Sequence, residues 1–111
     1  MARVFSLTIA VALAWTASTF CADAQTDKGI KVFAAQKCSV CHSIAGKGNP
    51  KGKLDGVGAK LTPAEIKQWI LDPVTMAKKA TAERKPPMKA KPMAAEDVDA
   101  LVAYLSTLKE K

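Results

Sequence analysis

The sequence predicts an all-α fold with three main helices. Apolar residues recur at spacings of three and four in three separate segments. No segment alternates polar and apolar residues at period two, and no Asn-Gly or Asp-Gly turn joins two strand-like runs. The 111 residues are enough for one domain and too few for a second independent core.

The N-terminal segment has the pattern of a secretory signal peptide. Arg3 precedes an apolar run over residues 4–20, and Ala22-Asp23-Ala24 provides a small-x-small cleavage site. An uncleaved membrane anchor is the alternative, although the run is borderline for a span of about 20 residues. We expect residues 1–24 to be a cleaved signal and residues 25–111 to be a domain in a bacterial periplasm, with no stable membrane insertion.

The predicted mature chain is basic and small. Removing residues 1–24 leaves 16 basic against 9 acidic residues, so the formal charge stays at +7. Such a charge steers association with acidic surfaces, and export makes nucleic acid an unexpected partner. A core of this size is marginal, so we expect a further stabilising element such as a bound cofactor.

The first and last helices are predicted from apolar stripes and from the charges at their ends. Asp27 is placed to cap a helix over residues 27–37. In the last helix, Glu96 and Asp97 lie at the positive end of the helix dipole. The stripe of this helix consists of Val98, Leu101, Val102, Leu105 and Leu108.

A second helix is predicted between these two. Thr62 and Glu65 form a capping box at its start. The helix should end near Asp72, because Pro73 disfavours helical geometry in the residue before it.

The remaining segments give weaker signals. Residues 46–53 are rich in turn formers and lysine and predict an irregular loop. Residues 74–82 could be helical but show no clean stripe. Residues 84–92 contain three prolines and must be extended, and we name this segment the strap.

Cys38-Ser39-Val40-Cys41-His42 is the Cys-x-x-Cys-His pattern of covalent haem attachment. Two thiols form thioether bonds to the haem vinyl groups, and the adjacent imidazole binds the iron. Because the two bonds fix the backbone on one face of the ring, His42 is placed beneath the iron. The pattern predicts one haem c per chain, held by Cys38 and Cys41, with His42 as an axial ligand.

A thioredoxin-like redox pair and half of a zinc site share the Cys-x-x-Cys spacing. The former occurs in a βαβ context, whereas these cysteines follow an amphipathic helix. A structural zinc site needs four ligands, and beyond Cys38, Cys41 and His42 the mature chain has no other cysteine or histidine. Haem accounts for this shortage, since iron takes a thioether as its other ligand.

Three downstream methionines are candidates for that thioether. Met88 lies in the strap, where a rigid, non-helical backbone can hold its side chain at the iron. Met93 lies almost at the start of the last helix, and Met76 fits an adaptable packing role. The sequence favours Met88.

With these motifs the chain resembles the small bacterial class I cytochromes c over nearly all of residues 27–109. In that family a glycine and an aromatic residue of the first helix pack against a leucine and a tyrosine of the last. Gly29, Phe33, Leu101 and Tyr104 match those positions.

The resemblance also implies further site residues. The spacing of the family's axial methionine from that tyrosine fits Met88. Trp69 resembles the family's helix tryptophan that hydrogen-bonds a haem propionate, and Lys60 lies where a basic propionate contact is common; core packing and a solvated charge are the alternatives. The family's Gly-Pro before a leucine is replaced here, so Lys53 is expected to offer the carbonyl that orients His42.

Iron bound by both histidine and methionine has no open position, which predicts a one-electron carrier with a positive potential and not an enzyme. We expect a monomer whose partners are redox proteins with acidic docking surfaces. The alternatives are a dedicated subunit of a periplasmic dehydrogenase or oxidase, and a sensor or enzyme from whose iron the methionine dissociates. Lysines expected to steer partners, or only to keep the protein soluble, are Lys47, Lys51, Lys53, Lys89 and Lys91.

Overall fold

A computed structural model describes residues 19–110, with side chains described from residue 24. The helices are α1 (Thr19–Ala35), α2 (Val57–Lys60), α3 (Pro63–Leu71), α4 (Pro73–Lys79) and α5 (Ala95–Ser106), with short 3-10 helices at Cys38–Val40 and Pro50–Gly52. Two strands, β1 (Ser43–Ile44) and β2 (Lys47–Gly48), complete the regular structure of this part of the chain. The predicted all-α class is confirmed.

Helix α1 is longer than predicted at its N-terminus. It begins at Thr19, so the assignment of Asp27 as its cap is wrong. The reason is that no glycine or proline interrupts the sequence between Thr19 and Asp27, so nothing stops the helix from extending upstream. The predicted cleavage point after Ala24 lies within this helix, and most of the predicted signal lies outside the described residues.

No helix within residues 19–110 combines the length and the apolar character needed to cross a bilayer.

Helices α1 and α5 cross in close contact. A Cβ atom at Gly29 would overlap the carbonyl oxygen of Ala100 and lie 2.5 Å from the Cβ of Tyr104, so only glycine fits the crossing. The rings of Phe33 and Tyr104 meet edge to face, with centroids 6.2 Å apart and planes at 78°. Together with the burial of Leu101, these contacts confirm the predicted packing of the first helix on the last.

The core lies between α1, α3 and α5. Four of the five predicted stripe residues of the last helix are buried in it, whereas Leu108 follows the end of α5 at Ser106 and is only partly buried. The buried cluster consists of Val32, Ile66, Ile70, Val98, Leu101, Val102 and Leu105.

The capping box of α3 is present as predicted. The Thr62 hydroxyl accepts a hydrogen bond from the Glu65 amide at 3.2 Å, and the Glu65 carboxylate accepts one from the Thr62 amide at 3.1 Å. The helix ends at Leu71, and Asp72 then caps α4 by accepting from the Thr75 amide at 3.3 Å. The segment whose structure the sequence left open is therefore helical as far as Lys79.

A small hairpin stands where the sequence predicted an irregular loop. Ala45 and Gly46 connect β1 to β2, and both have positive φ angles (52° and 78°), as a two-residue hairpin turn of type I′ requires. The Asp55 carboxylate accepts a hydrogen bond from the Ala45 amide at 2.6 Å and holds this turn. Strands of two residues are too short to show a period of two, which explains why the sequence did not reveal them.

Candidate functional site

The residues of the Cys-x-x-Cys-His pattern lie in one tight turn directly after α1. Lys37 adopts a left-handed conformation (φ 56°) that ends the helical path, and a 3-10 helix follows at once. The carbonyl of Cys38 accepts hydrogen bonds from the amides of Cys41, at 3.1 Å, and His42, at 2.9 Å. The turn therefore brings both thiols and the imidazole together on a short, hydrogen-bonded piece of backbone.

Both cysteines of the turn are free thiols, and both are half-buried. Burial raises the pKa of the Cys38 thiol, while the charge of nearby Lys91 acts in the opposite direction. Two unpaired thiols within one turn are suited to forming two bonds to the edge of one flat ligand.

The imidazole of His42 is oriented by a single backbone carbonyl. Its Nδ1 atom lies 3.1 Å from the oxygen of Gly52; because a carbonyl only accepts, Nδ1 carries the hydrogen and Nε2 presents a lone pair. Burial lowers the pKa of this imidazole, the hydrogen bond to the Gly52 carbonyl acts in the opposite direction, and the charge of Arg84 adds a smaller lowering. The net shift is downward, so the neutral, metal-binding form is favoured.

The orienting carbonyl belongs to Gly52 and not to Lys53, so the expectation for Lys53 is wrong. Gly52 ends the second 3-10 helix, which directs its carbonyl towards the ring. The backbone of Lys53 is instead engaged with Ser43 in an isolated parallel bridge. The bond that orients His42 is thus retained without the family's proline.

Gly52 is enclosed by the residues around this bond. A Cβ atom there would lie 2.9 Å from Nδ1 of His42 and would overlap both the carbonyl oxygen of Cys41 and the Arg84 guanidinium. The guanidinium also donates a hydrogen bond to the Cys41 carbonyl. Arg84, which the sequence analysis did not single out, therefore lies against the attachment turn.

A cavity of about 580 Å³ lies beside α3 and α4. Trp69 and Lys60, the two predicted propionate contacts, both line it. Met76 and Lys79 line it as well; the sequence analysis weighed Met76 only as a candidate axial ligand and did not single out Lys79. Their separation of three residues on α4, which places both on one helical face, is the signal that could have indicated them.

The three candidate methionines have different surroundings. Met76 lines the cavity, and Met93 is partly buried against the core, in agreement with a packing role. Met88 lies on the strap with 37% of its surface exposed. Among the described residues that line this cavity there is neither Met88 nor any residue of the Cys38–His42 turn.

The fold and this site together define a haem-binding electron-transfer protein. The model of the cytochrome c family matches residues 26–109, and the chain therefore belongs to the cytochrome c family. Its fold is that of the small class I cytochromes c, and members of the family are generally electron carriers. Neither the curated proteins nor the solved structures gave a significant match.

The residues of the site fit covalently bound haem c, the cofactor that the family implies. Cys38 and Cys41 would hold it through thioether bonds, and Nε2 of His42 is the nitrogen that would bind its iron. When bound, haem c supplies an iron that alternates between the ferrous and ferric states. The carbonyl of Gly52 would keep the imidazole in the tautomer and orientation that such ligation needs.

Proposed function

We propose that the chain is a periplasmic carrier of single electrons, with one haem c bound through Cys38 and Cys41 and with His42 and Met88 as axial ligands. The observation that carries this proposal is the hydrogen bond between His42 Nδ1 and the Gly52 carbonyl, which leaves Nε2 for the iron. A carrier needs both axial positions filled, so that oxidation and reduction involve little rearrangement and no substrate binds.

Met88 is the methionine that we propose for the second axial position. Met93 is engaged with the core, and Met76 lies in the cavity with Trp69, so both have packing partners. Met88 is 37% exposed, lies outside the described core cluster and belongs to a segment without helix or strand, so its thioether has no described role in the core.

Absorption spectra of three matched variants test this assignment. Met88→Leu, Met76→Leu and Met93→Leu each remove one thioether while nearly conserving side-chain volume. We expect the wild-type protein to be low-spin, to show the weak ferric band of sulfur ligation, and to lose this band only in Met88→Leu. Loss of the band in Met76→Leu would instead assign the cavity methionine, and rapid carbon monoxide binding by the wild-type ferrous protein would favour a sensor or enzyme.

The partners that we propose are redox proteins with acidic surfaces. Support comes from the formal charge of +7 and from the exposure of all five lysines named above. The rate of electron exchange with an acidic redox protein should fall steeply as ionic strength rises. A dedicated subunit would instead remain in a complex of fixed stoichiometry during gel filtration at high salt.

The periplasmic location is tested separately by fractionating bacterial cells that express the full chain. The proposal expects the haem protein in the periplasmic fraction, with Gln25 at its N-terminus. A membrane-bound product that retains residues 1–24 would indicate an anchor instead.

A further inference from the structure

We propose that Arg84 and Lys91 form a two-point clasp that holds the strap against the Cys38–His42 turn and thereby positions Met88. This inference rests on the proposed function, because it assigns the clasp the task of keeping Met88 at the iron. The two residues lie on either side of Met88, four positions before it and three after it.

The clasp consists of two hydrogen bonds to backbone carbonyls at the two ends of the segment that contains Cys38 and Cys41. The Arg84 guanidinium donates to the carbonyl of Cys41, and the Lys91 ammonium donates to the carbonyl of Gln36. Gln36 directly follows α1, where carbonyls lack partners within the helix and a lysine is a favourable donor. Both contacts involve a charged donor, which makes them stronger than hydrogen bonds between neutral groups.

Few other described hydrogen bonds hold the strap in place. All residues of 84–92 are exposed, and in the described part of the chain no backbone hydrogen bond involves residues 83–93. An extended segment of this kind loses conformational entropy when it is held in one position, at a cost of about 1–2 kcal/mol per residue. The two charged contacts are therefore the described hydrogen bonds that oppose this loss.

The position of the clasp restricts where Met88 can reach. An extended chain spans at most about 3.5 Å per residue, so four residues from Arg84 allow about 14 Å and three from Lys91 about 11 Å. Because Arg84 and Lys91 are both tied to the segment that contains Cys38 and Cys41, the shorter of these two tethers limits how far Met88 can move from that segment. Release of either end would widen that range.

Arg84 connects the strap to the other axial side chain as well. Its guanidinium lies where a side chain at Gly52 would be, directly beside the bond from His42 Nδ1 to the Gly52 carbonyl. Arg84 thus belongs to the strap that carries Met88 and also contacts Gly52, whose carbonyl orients His42.

Imidazole binding to the ferric protein tests the clasp, because imidazole competes with Met88 for the iron. Its apparent affinity rises with the fraction of molecules in which the strap has moved Met88 away from the iron. We expect Arg84→Gln and Lys91→Gln each to raise the affinity about tenfold, which corresponds to 1.4 kcal/mol. Lys85→Gln and Lys89→Gln are the matched controls, since they remove the same charge from strap lysines that make no described hydrogen bond. Equal effects in all four variants would overturn the proposal.

A double-mutant cycle with Met88→Leu separates the clasp from the proposed function. Met88→Leu alone should raise the imidazole affinity strongly, and adding Arg84→Gln should then change it no further, because the strap has no ligand left to position. A tenfold effect of Arg84→Gln that persists without Met88 would overturn the clasp alone. Should Met88→Leu leave the affinity unchanged, the proposed axial ligand would be wrong. Arg84→Lys, which keeps the charge, should restore part of the wild-type behaviour.

Discussion

The Nδ1 atom of His42 lies 3.1 Å from the carbonyl oxygen of Gly52, a residue ten positions later in the chain. The hairpin β1–β2 and the 3-10 helix that ends at Gly52 return the chain to the ring. The small lysine-rich segment after the Cys-x-x-Cys-His pattern therefore has a defined task, which is to present one carbonyl to one imidazole.

Replacement of Gly52 by alanine should damage this arrangement. The added Cβ would overlap the Cys41 carbonyl and the Arg84 guanidinium and lie 2.9 Å from His42 Nδ1, so the backbone must shift. We expect a loss of about 1–3 kcal/mol in the free energy of unfolding, the range for overpacking a fitted site. Guanidinium chloride unfolding of the ferric protein measures the loss, and the reduction potential should change because the orienting bond is disturbed.

Gly46→Asn is the matched control for this substitution. A Cβ atom at Gly46 has no neighbour within 4 Å, and asparagine tolerates the positive φ of 78° at that position. Its unfolding free energy and potential should stay close to those of the wild type. If Gly52→Ala behaved like this control, the close packing around Gly52 would play no part in holding His42.

Alanine at Gly29 should destabilise the protein although it favours the helix. An exposed helical Gly→Ala change stabilises by up to about 1 kcal/mol. At Gly29 the added Cβ would overlap the Ala100 carbonyl and press on Tyr104, so the sign should reverse. Thermal unfolding should show a lower midpoint for Gly29→Ala and almost no change for Lys31→Ala, at an exposed position on the same helix.

Two carboxylates at helix N-termini should make stability depend on acid pH. Hydrogen bonds from Thr62 lower the pKa of Glu65, and those from Thr75 lower the pKa of Asp72. A pKa lowered by folding contributes stability that is present above the unfolded value, about 4.3 for glutamate and 3.9 for aspartate, and that is lost as the pH falls through the folded value. The unfolding midpoint in denaturant should therefore decrease as the pH is lowered from about 5 towards 3.

Glu65→Gln gives the control for this pH dependence. Glutamine preserves the hydrogen bond of the capping box but carries no titrating group. Between about pH 5 and pH 3 its unfolding midpoint should fall less than the wild-type midpoint does. Identical pH profiles would remove Glu65 from the explanation.

Local sequence patterns predicted the parts of the fold that depend on neighbouring residues. The capping box of Thr62 and Glu65 is specified within four residues, and it appears as predicted. The contact of Gly29 with the last helix was available only through the family resemblance, because nothing local marks a long-range crossing. The carbonyl that meets His42 could not be identified from the sequence, since its direction depends on the dihedral angles of a single 3-10 turn.

The contacts of the strap could not be predicted from the sequence for a related reason. Arg84 and Lys91 are long, exposed side chains that reach carbonyls 43 and 55 positions earlier in the chain. Such contacts leave no periodicity and no motif, and in the sequence these residues are indistinguishable from solvated charges. Lys79 at the cavity was missed in the same way, whereas Trp69 was found because a family position marks it.

The lysines of the cavity provide a last prediction, on the assumption that the propionates of the haem lie there with Trp69 and Lys60. A cation near the iron disfavours the additional positive charge of the ferric state, so its removal should lower the reduction potential. Lys79→Gln should lower it, by less than about 59 mV, the value of a tenfold change in a one-electron equilibrium. Lys78→Gln removes the same charge from the adjacent residue, which does not line the cavity, and should have a smaller effect. Potentiometric titration of both variants and of Lys60→Gln tests whether the propionates lie at this cavity. Equal shifts for Lys78→Gln and Lys79→Gln would show that only the net charge acts. Larger shifts for Lys79→Gln and Lys60→Gln would place the propionates at this cavity.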